Sequence, residues 1–455
     1  MATPLRPLWW EGARTSADAA SALTGDSAAD VVIVGGGYTG LWSAYYLLRD
    51  QPSLDVLVLE AEHVGFGASG RNGGWASALY PIGPATLARE HGHDAALAMV
   101  GALRDTVTEV GDVVGAEGID CGFRQGGTLV VARSTAQAQR ARAAVAAGEQ
   151  WGEGTVWLDA GATRERLDAA DVQGGTFNPH CARVHPRRLV DGLADAVRAQ
   201  GGRIVEGTRV TSIGPGSVHT AGGHRVTARH VIRATEAWTP TLPGRRRAIA
   251  PVYSLMVATE PLPAHTWDAI GLAEREVFAD NRHVVVYGQR TDDDRIAFGG
   301  RGAPYHWGSR VRPRFDHEAG VFADLRLTLT QMLPQLEGVR FTHAWGGPLG
   351  IARDWHPSVG LDPETGLGWA GGYVGDGVAA SNLAGRTLAD LVRGRHTALT
   401  SLPCVGHRSR AWEPEPLRWI GINGALRLGL SADHEEERTG RPARRARLLE
   451  ALTGH

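Results

Sequence analysis

The sequence predicts an α/β fold, and three neighbouring features near its N-terminal end predict it. Val31-Val32-Ile33-Val34 is a short β-branched apolar run, suited to a strand buried on both faces. Gly35-x-Gly37-x-x-Gly40 follows at once and opens a helical apolar pattern at Leu41, Ala44, Tyr45 and Leu48. Pro52 and Ser53 break the chain, and Asp55-Val56-Leu57-Val58-Leu59-Glu60 reads as a second strand ending in an acid. Together they make a complete βαβ unit.

The glycines and the acid give that unit a chemistry. Gly35 allows a tight turn, Gly37 lets the backbone approach a pyrophosphate, and Gly40 lets the helix pack closely on the strand. The helix start presents unpaired N–H groups and the positive end of its dipole. Glu60 is placed to bind both hydroxyls of an adenosine ribose, and an acid there disfavours a 2′-phosphate. A dinucleotide site is therefore expected, which FAD or NAD would satisfy equally.

Further along, helices are expected over Ala85–Gly115, Arg133–Ala147, Arg188–Gln200, Leu325–Leu333 and Val378–Val392. Strands are expected over Gly126–Ala132, Arg203–Glu206, Val210–Ile213, His230–Thr235, Val284–Tyr287 and Arg295–Phe298. Glu413-Pro414-Glu415-Pro416 looks like a linker, and Glu435 through Arg447 looks like exposed helix packed on the body.

Composition bounds the function. The length, 455 residues, suits two or three structural units at about 150 residues each. Lys+Arg 47 against Asp+Glu 49 leaves no basic field for nucleic acid. The chain contains no Lys at all, which excludes pyridoxal-phosphate, Walker-A and protein-kinase chemistry. Three Cys at irregular spacing, with no C-x-x-C, argue against a disulfide framework. His180-Cys181 with His185 lacks a second half-site, so no metal is expected. The first residues lack the apolar core of a signal peptide and no run approaches a transmembrane span, so a cytoplasmic protein is expected.

Glycine makes up 61 of the residues, and two further clusters bear on the cofactor. Gly65-Phe66-Gly67-Ala68-Ser69-Gly70-Arg71-Asn72-Gly73-Gly74 is rich in backbone N–H groups and could wrap a large cofactor near the first phosphate site. Trp369-Ala370-Gly371-Gly372-Tyr373-Val374-Gly375-Asp376-Gly377 precedes the last predicted helix of the body. A second helix N-terminus there can stabilise the negative charge of a reduced flavin.

These segments resemble the FAD-dependent oxidoreductases of the D-amino-acid-oxidase-like superfamily, and within it the gamma-glutamylputrescine oxidase-like amine oxidoreductases. The resemblance lies in Val31–Glu60, Gly67–Gly74, Ala234–Trp238 and Trp345–Leu391. It implies a discontinuous Rossmann-like FAD-binding domain with an inserted α+β substrate domain of mainly antiparallel sheet, plus a helical C-terminal tail. The expected division is 28–110, 176–240 and 345–400 for FAD, 111–175 and 241–344 for substrate, and 401–455 for the tail. The implied cofactor set is Gly35, Gly37, Tyr38, Thr39, Gly40, Glu60 and Ala61 at the adenosine diphosphate. Ser69, Gly70, Arg71, Asn72, Gly73 and Gly74 would run beside the flavin, with Val210 at the adenine. Ala234, Thr235 and Trp238, then Gly375, Asp376, Gly377 and Val378 at the pyrimidine end, complete it. Three positions depart from sarcosine oxidases: Gly347 replaces the Cys joined to flavin, Ala379 the Lys for the substrate carboxylate, and Ala297 the Lys thought to activate oxygen. The FAD is therefore expected to be non-covalent.

The implied activity is oxidation of the C–N bond of an amine or amino acid by hydride transfer to flavin N5, with hydrolysis of the imine. Partners would be that substrate and oxygen or another electron acceptor, with no nucleic acid. Alternatives are a flavin monooxygenase or a flavoprotein without turnover. Candidate catalytic residues are Asp376, at the flavin edge, on an ammonium, or simply capping its helix; Arg301, on an acidic substrate group; and His356, in a loop near the flavin. Trp75, Trp307, Trp345 and Trp355 could line a pocket for an apolar or cationic amine.

Overall fold

The computed structural model describes residues 6–12, 21–443 and 445. Ser27–Val34 is the central strand of the first sheet, and its four apolar residues from Val31 to Val34 are buried. Val56–Leu59 and Arg203–Val205 lie parallel on one side of it; Arg225–Arg233 and Leu367–Gly371 lie parallel on the other. Ser358–Asp362 closes that edge antiparallel, and the hairpin Val210–Gly214/Ser217–Thr220 hangs from Arg225–Arg233. The helices Tyr38–Asp50 and Gly377–Val392 pack against one another on one face. Because the strands are parallel, their C-terminal ends come together, bringing Gly35, Glu60 and Ala234 to one edge. Open α/β sheets bind ligands at this edge.

The second sheet runs Phe341–Ile351, Ala250–Thr259, Ile296–Gly300, Val286–Arg290, Val277–Asp280, Thr128–Ala132, Gly174–Asn178 and Val156–Leu158. All neighbours are antiparallel except Val277–Asp280 with Thr128–Ala132. It has its own core, around Tyr253, Leu255, Phe278, Phe298 and Leu329.

Several expectations shift. The boundary expected at 176 falls inside Gly174–Asn178, which pairs wholly within the second sheet. Phe341–Ile351 pairs along its length with Ala250–Thr259, so 345–351 belongs to the second sheet as well. Ala85–Gly115 is two helices, Pro84–His91 and His93–Ala116, parted by Gly92 at φ +93°. The strand expected from Val284 begins at Val286, because the N–H groups of His283 and Val284 turn away to Asp433.

The tail helix spans Leu417–Thr439 and ends on Gly440 in the left-handed conformation, where glycine carries no penalty. It is less exposed than expected: Asp433 and Glu436 are buried, the latter against Arg140 and His283. Arg445 alone of Arg444–Arg447 is among the described residues. Glu415, expected in a linker, is anchored by the Tyr305 hydroxyl and the Gly308 N–H.

Candidate functional site

The first glycine turn is shaped by what surrounds it. Gly35 lies at φ +116°, and a Cβ there would strike the Ala234 carbonyl. A Cβ on Gly37 would lie 2.8 Å from Ser69 Oγ, and one on Gly40 would strike the Gly35 carbonyl. Gly40 thus serves helix packing and does not line the cavity beside it. The Glu60 carboxylate accepts the N–H groups of Gly36 at 2.7 Å and Glu62 at 2.9 Å. Burial pushes its pKa up while these backbone donors pull it down.

A cavity opens at this edge. Gly35, Gly37, Tyr38, Thr39, Glu60 and Ala61 line one part of it, Val210 with Thr208 and Arg209 another. Ala234, Thr235 and Trp238 border it, as do Ser69 and Asn72. Gly375, Gly377 and Val378 line it as well. The two helix mouths meet here: Thr39 Oγ1, on the first helix, lies 3.0 Å from the Tyr373 hydroxyl before the second.

The loop Ser69–Gly74 is held from behind, one carbonyl at a time. Trp10 Nε1 donates to Gly70 O at 3.2 Å and Trp345 Nε1 to Arg71 O at 2.9 Å. Trp9 Nε1 donates to Asn72 O at 2.8 Å and Gln289 Nε2 to Gly73 O at 2.6 Å. Four side chains from three distant segments therefore fix four successive peptides. The expected supply of free N–H groups is smaller than the glycine content implied. Those of Gly70, Arg71 and Asn72 fold back on Gly67 and Ala68, and that of Gly74 on the Asn72 side chain. Gly70 and Gly74 line neither cavity; side chains there would meet the Gly65 carbonyl and Gln289. Ser69 Oγ accepts the Tyr38 N–H at 2.8 Å, joining the loop to the helix mouth.

Glu236 is a site residue that sequence reasoning passed over. It sits at φ +40° and lines the first cavity. Its carboxylate accepts the Gly372 N–H at 2.8 Å and leaves no room for a Cβ on Gly350 or Gly371. One acid thereby joins a strand of each sheet beside the second helix mouth. Burial raises its pKa to about 7. No sequence pattern marks it, because its partners lie more than a hundred residues away.

A second cavity adjoins the first. The two share Ala68, Asn72, Leu349, Gly375 and Val378. Arg71 and Gly73, expected beside the flavin, line this one, as do Gly347, Trp75, Tyr287, Ser254 and Met256. Arg301 and Asp376 both reach it. Arg301 Nη2 donates to Val374 O at 2.6 Å. Asp376 opens the helix Gly377–Val392 but makes no side-chain cap, so the capping role expected of it is not taken. Burial raises its pKa and Arg301 opposes the rise.

His356 is corrected. It lines neither cavity; its Nε2 lies 3.0 Å from Glu90, and its ring stacks on His407. Of the four tryptophans, Trp75 alone lines the second cavity. Trp345 is buried behind the loop, Trp307 is exposed, and Trp355 packs beside the core. His185 caps the helix Pro186–Ala199, its Nδ1 accepting the Arg188 N–H.

The residues present fit FAD. The first cavity holds a glycine cradle that a Cβ would fill, an acid at the end of the second strand, and a second helix mouth beside the first. The family profile described as FAD dependent oxidoreductase (DAO) matches residues 30–391. Gamma-glutamylputrescine oxidoreductase of Escherichia coli is 34% identical over 387 residues, 82% of this chain and 86% of that one. Glycine oxidase of Geobacillus kaustophilus is 27% identical over 391 residues, 82% and 95% of the two chains. The crystal structure of glycine oxidase from that organism superposes with a TM-score of 0.70 at 23% identity, covering 84% of this chain and 99% of the other. L-proline dehydrogenase from P. horikoshii gives a TM-score of 0.69 at 19% identity, covering 83% and 96%, and shares the fold. No described helix is long and apolar enough to cross a membrane. This chain belongs to the DAO family of FAD-dependent oxidoreductases.

Proposed function

We propose that the chain oxidises the C–N bond of an amine or amino acid, with FAD in the first cavity and the substrate in the second. The observation that carries this is the shared wall of the two cavities: Asn72, Leu349, Gly375 and Val378 border both. Whatever lies in the second cavity abuts whatever lies in the first. Bound FAD would supply the acceptor for a hydride equivalent from the carbon next to nitrogen.

The chain's own work is then binding, orientation and exclusion of water. Gly35, Gly37 and Glu60 would hold the adenosine diphosphate, and Val210 would border the adenine. Asn72 and Gly375 would lie along the reactive ring. Trp75, Tyr287 and Met256 make the substrate side largely apolar, which favours the neutral, reactive form of an amine. Gly347 offers no side chain for a covalent link, so acid is expected to release free FAD. The final acceptor is oxygen or another carrier, and the compartment is the cytoplasm.

The test is an absorbance spectrum of the purified protein, followed by anaerobic mixing with amines and amino acids. Bleaching of the flavin band by an amine supports the reading. A colourless protein that takes up no FAD refutes it, as does a flavin that no amine or amino acid reduces. Peroxide released on admitting air identifies oxygen as the acceptor.

A further inference from the structure

We infer that the second cavity selects amines carrying a further positive charge, and that Asp376 is the group that receives it. This rests on the reaction read above. Three charged side chains border the cavity: Arg71, Arg301 and Asp376. Arg71 is already matched, with Nη1 on Asp316 Oδ2 at 2.7 Å and Nε on Phe66 O at 2.8 Å. Arg301 is part of the wall: Nη2 donates to Val374 O, and the guanidinium packs so closely on Gly375 that an added Cβ would lie 2.6 Å from it. Asp376 differs from both. It makes no cap to its own helix, and among the described residues its carboxylate has no hydrogen-bond or ion-pair partner. It borders the second cavity and not the first.

A half-buried carboxylate that lines a cavity without a hydrogen-bond partner is a seat for a cation, which supplies the missing partner. The surroundings suit one. Trp75 and Tyr287 meet edge to face with ring centroids 5.9 Å apart, and both line the same space. Aromatic rings attract ammonium groups. Burial also raises the Asp376 pKa, and the charge of Arg301 opposes that rise only in part.

The reaction decides which positive group this is. The nitrogen next to the oxidised carbon must be neutral to react, and a carboxylate in contact with it would favour its protonated form. Asp376 therefore suits a second, non-reacting ammonium, as in a diamine. A substrate carboxylate would be repelled by Asp376, and one Arg301 nitrogen is committed to the Val374 carbonyl.

The test uses the FAD-loaded protein and two readouts. The first is binding of tetramethylammonium, followed by flavin absorbance, against the neutral isostere tert-butanol. The second is anaerobic flavin reduction by 1,4-diaminobutane, butylamine and 4-aminobutanoate. At least ten-fold tighter binding of tetramethylammonium than tert-butanol is expected in the natural protein. That preference is expected to fall to within about two-fold in Asp376→Asn and to return in Asp376→Glu. The diamine is expected to exceed butylamine at least ten-fold in kcat/KM, and Asp376→Asn to erase the difference. Equal binding of the cation and its isostere in the natural protein overturns the inference, with no variant needed. A preference for 4-aminobutanoate overturns it as well. Cation binding that depends on Asp376, with no reduction by any amine, would instead refute the reaction read above while keeping the cation site.

Discussion

Trp9 lies outside the stretch that matches the family, yet it is 2% exposed and supports the loop between the two cavities. Its indole packs edge-on to Trp345 and His185 and joins a cluster with Leu8, Met256 and Ala297. Its Nε1 supplies the donor for Asn72 O at 2.8 Å. Trp9→Ala removes a large buried aromatic and leaves a void, an expected cost of about 3–5 kcal/mol. Trp9→Phe keeps most of the packing but strands the Asn72 carbonyl, an expected cost of about 1–3 kcal/mol. Because Asn72 borders both cavities, FAD affinity is expected to fall at least ten-fold in Trp9→Ala. Denaturant unfolding of the FAD-free protein measures the first quantity, and FAD titration by fluorescence quenching the second. A stability change below about 0.5 kcal/mol, typical of a surface position, together with unaltered FAD uptake, would show that this segment does not hold the loop.

Other outcomes follow from the same geometry. Gly37→Val is expected to abolish FAD uptake while the far-ultraviolet circular dichroism stays unchanged, since the new side chain fills the space beneath Ser69 Oγ; retained uptake would contradict the cradle. Arg71→Ala leaves Asp316 partly buried without its partner, an expected loss of about 3–5 kcal/mol that Asp316→Asn in the same chain should partly restore; a loss unaffected by the second change would point elsewhere. Glu236 has its pKa raised from 4.5 to about 7 in the folded protein. The native state then binds that proton more tightly than the unfolded chain, so this residue makes stability fall as pH rises from 4.5 to about 7, and adds no slope above. Melting temperatures of the FAD-free protein across that range should lose this component in Glu236→Gln; parallel curves would remove Glu236 from the account.

The βαβ unit was legible because its signals are local. A β-branched run, three glycines at fixed spacing and an acid ending the next strand are read within about thirty residues, and each glycine answers to a backbone collision nearby. The antiparallel second sheet was expected on resemblance, but its edges were not. Glycine-rich stretches such as Gly174–Asn178 and Gly346–Gly350 carry weak strand propensity, and pairing alone assigns them to a sheet. His356 looked suited to the site because it precedes Pro357 in a loop expected near the flavin. Its side chain instead turns to Glu90, on a helix that sequence could not place beside it.

Residue identity and short-range spacing carry the glycine turns, the acid after the second strand and the lack of lysine, so these are legible without the fold. Tertiary structure alone decided what stands behind the cradle and what faces the substrate. Trp9, Gln289 and Glu236 gain their roles from hydrogen bonds that close across more than sixty residues. Among the described residues, Asp376 is left without a hydrogen-bond partner for its side chain by the way two sheets and a helix mouth meet around it. Such roles depend on which groups become neighbours after folding, and no local pattern in the chain carries that information.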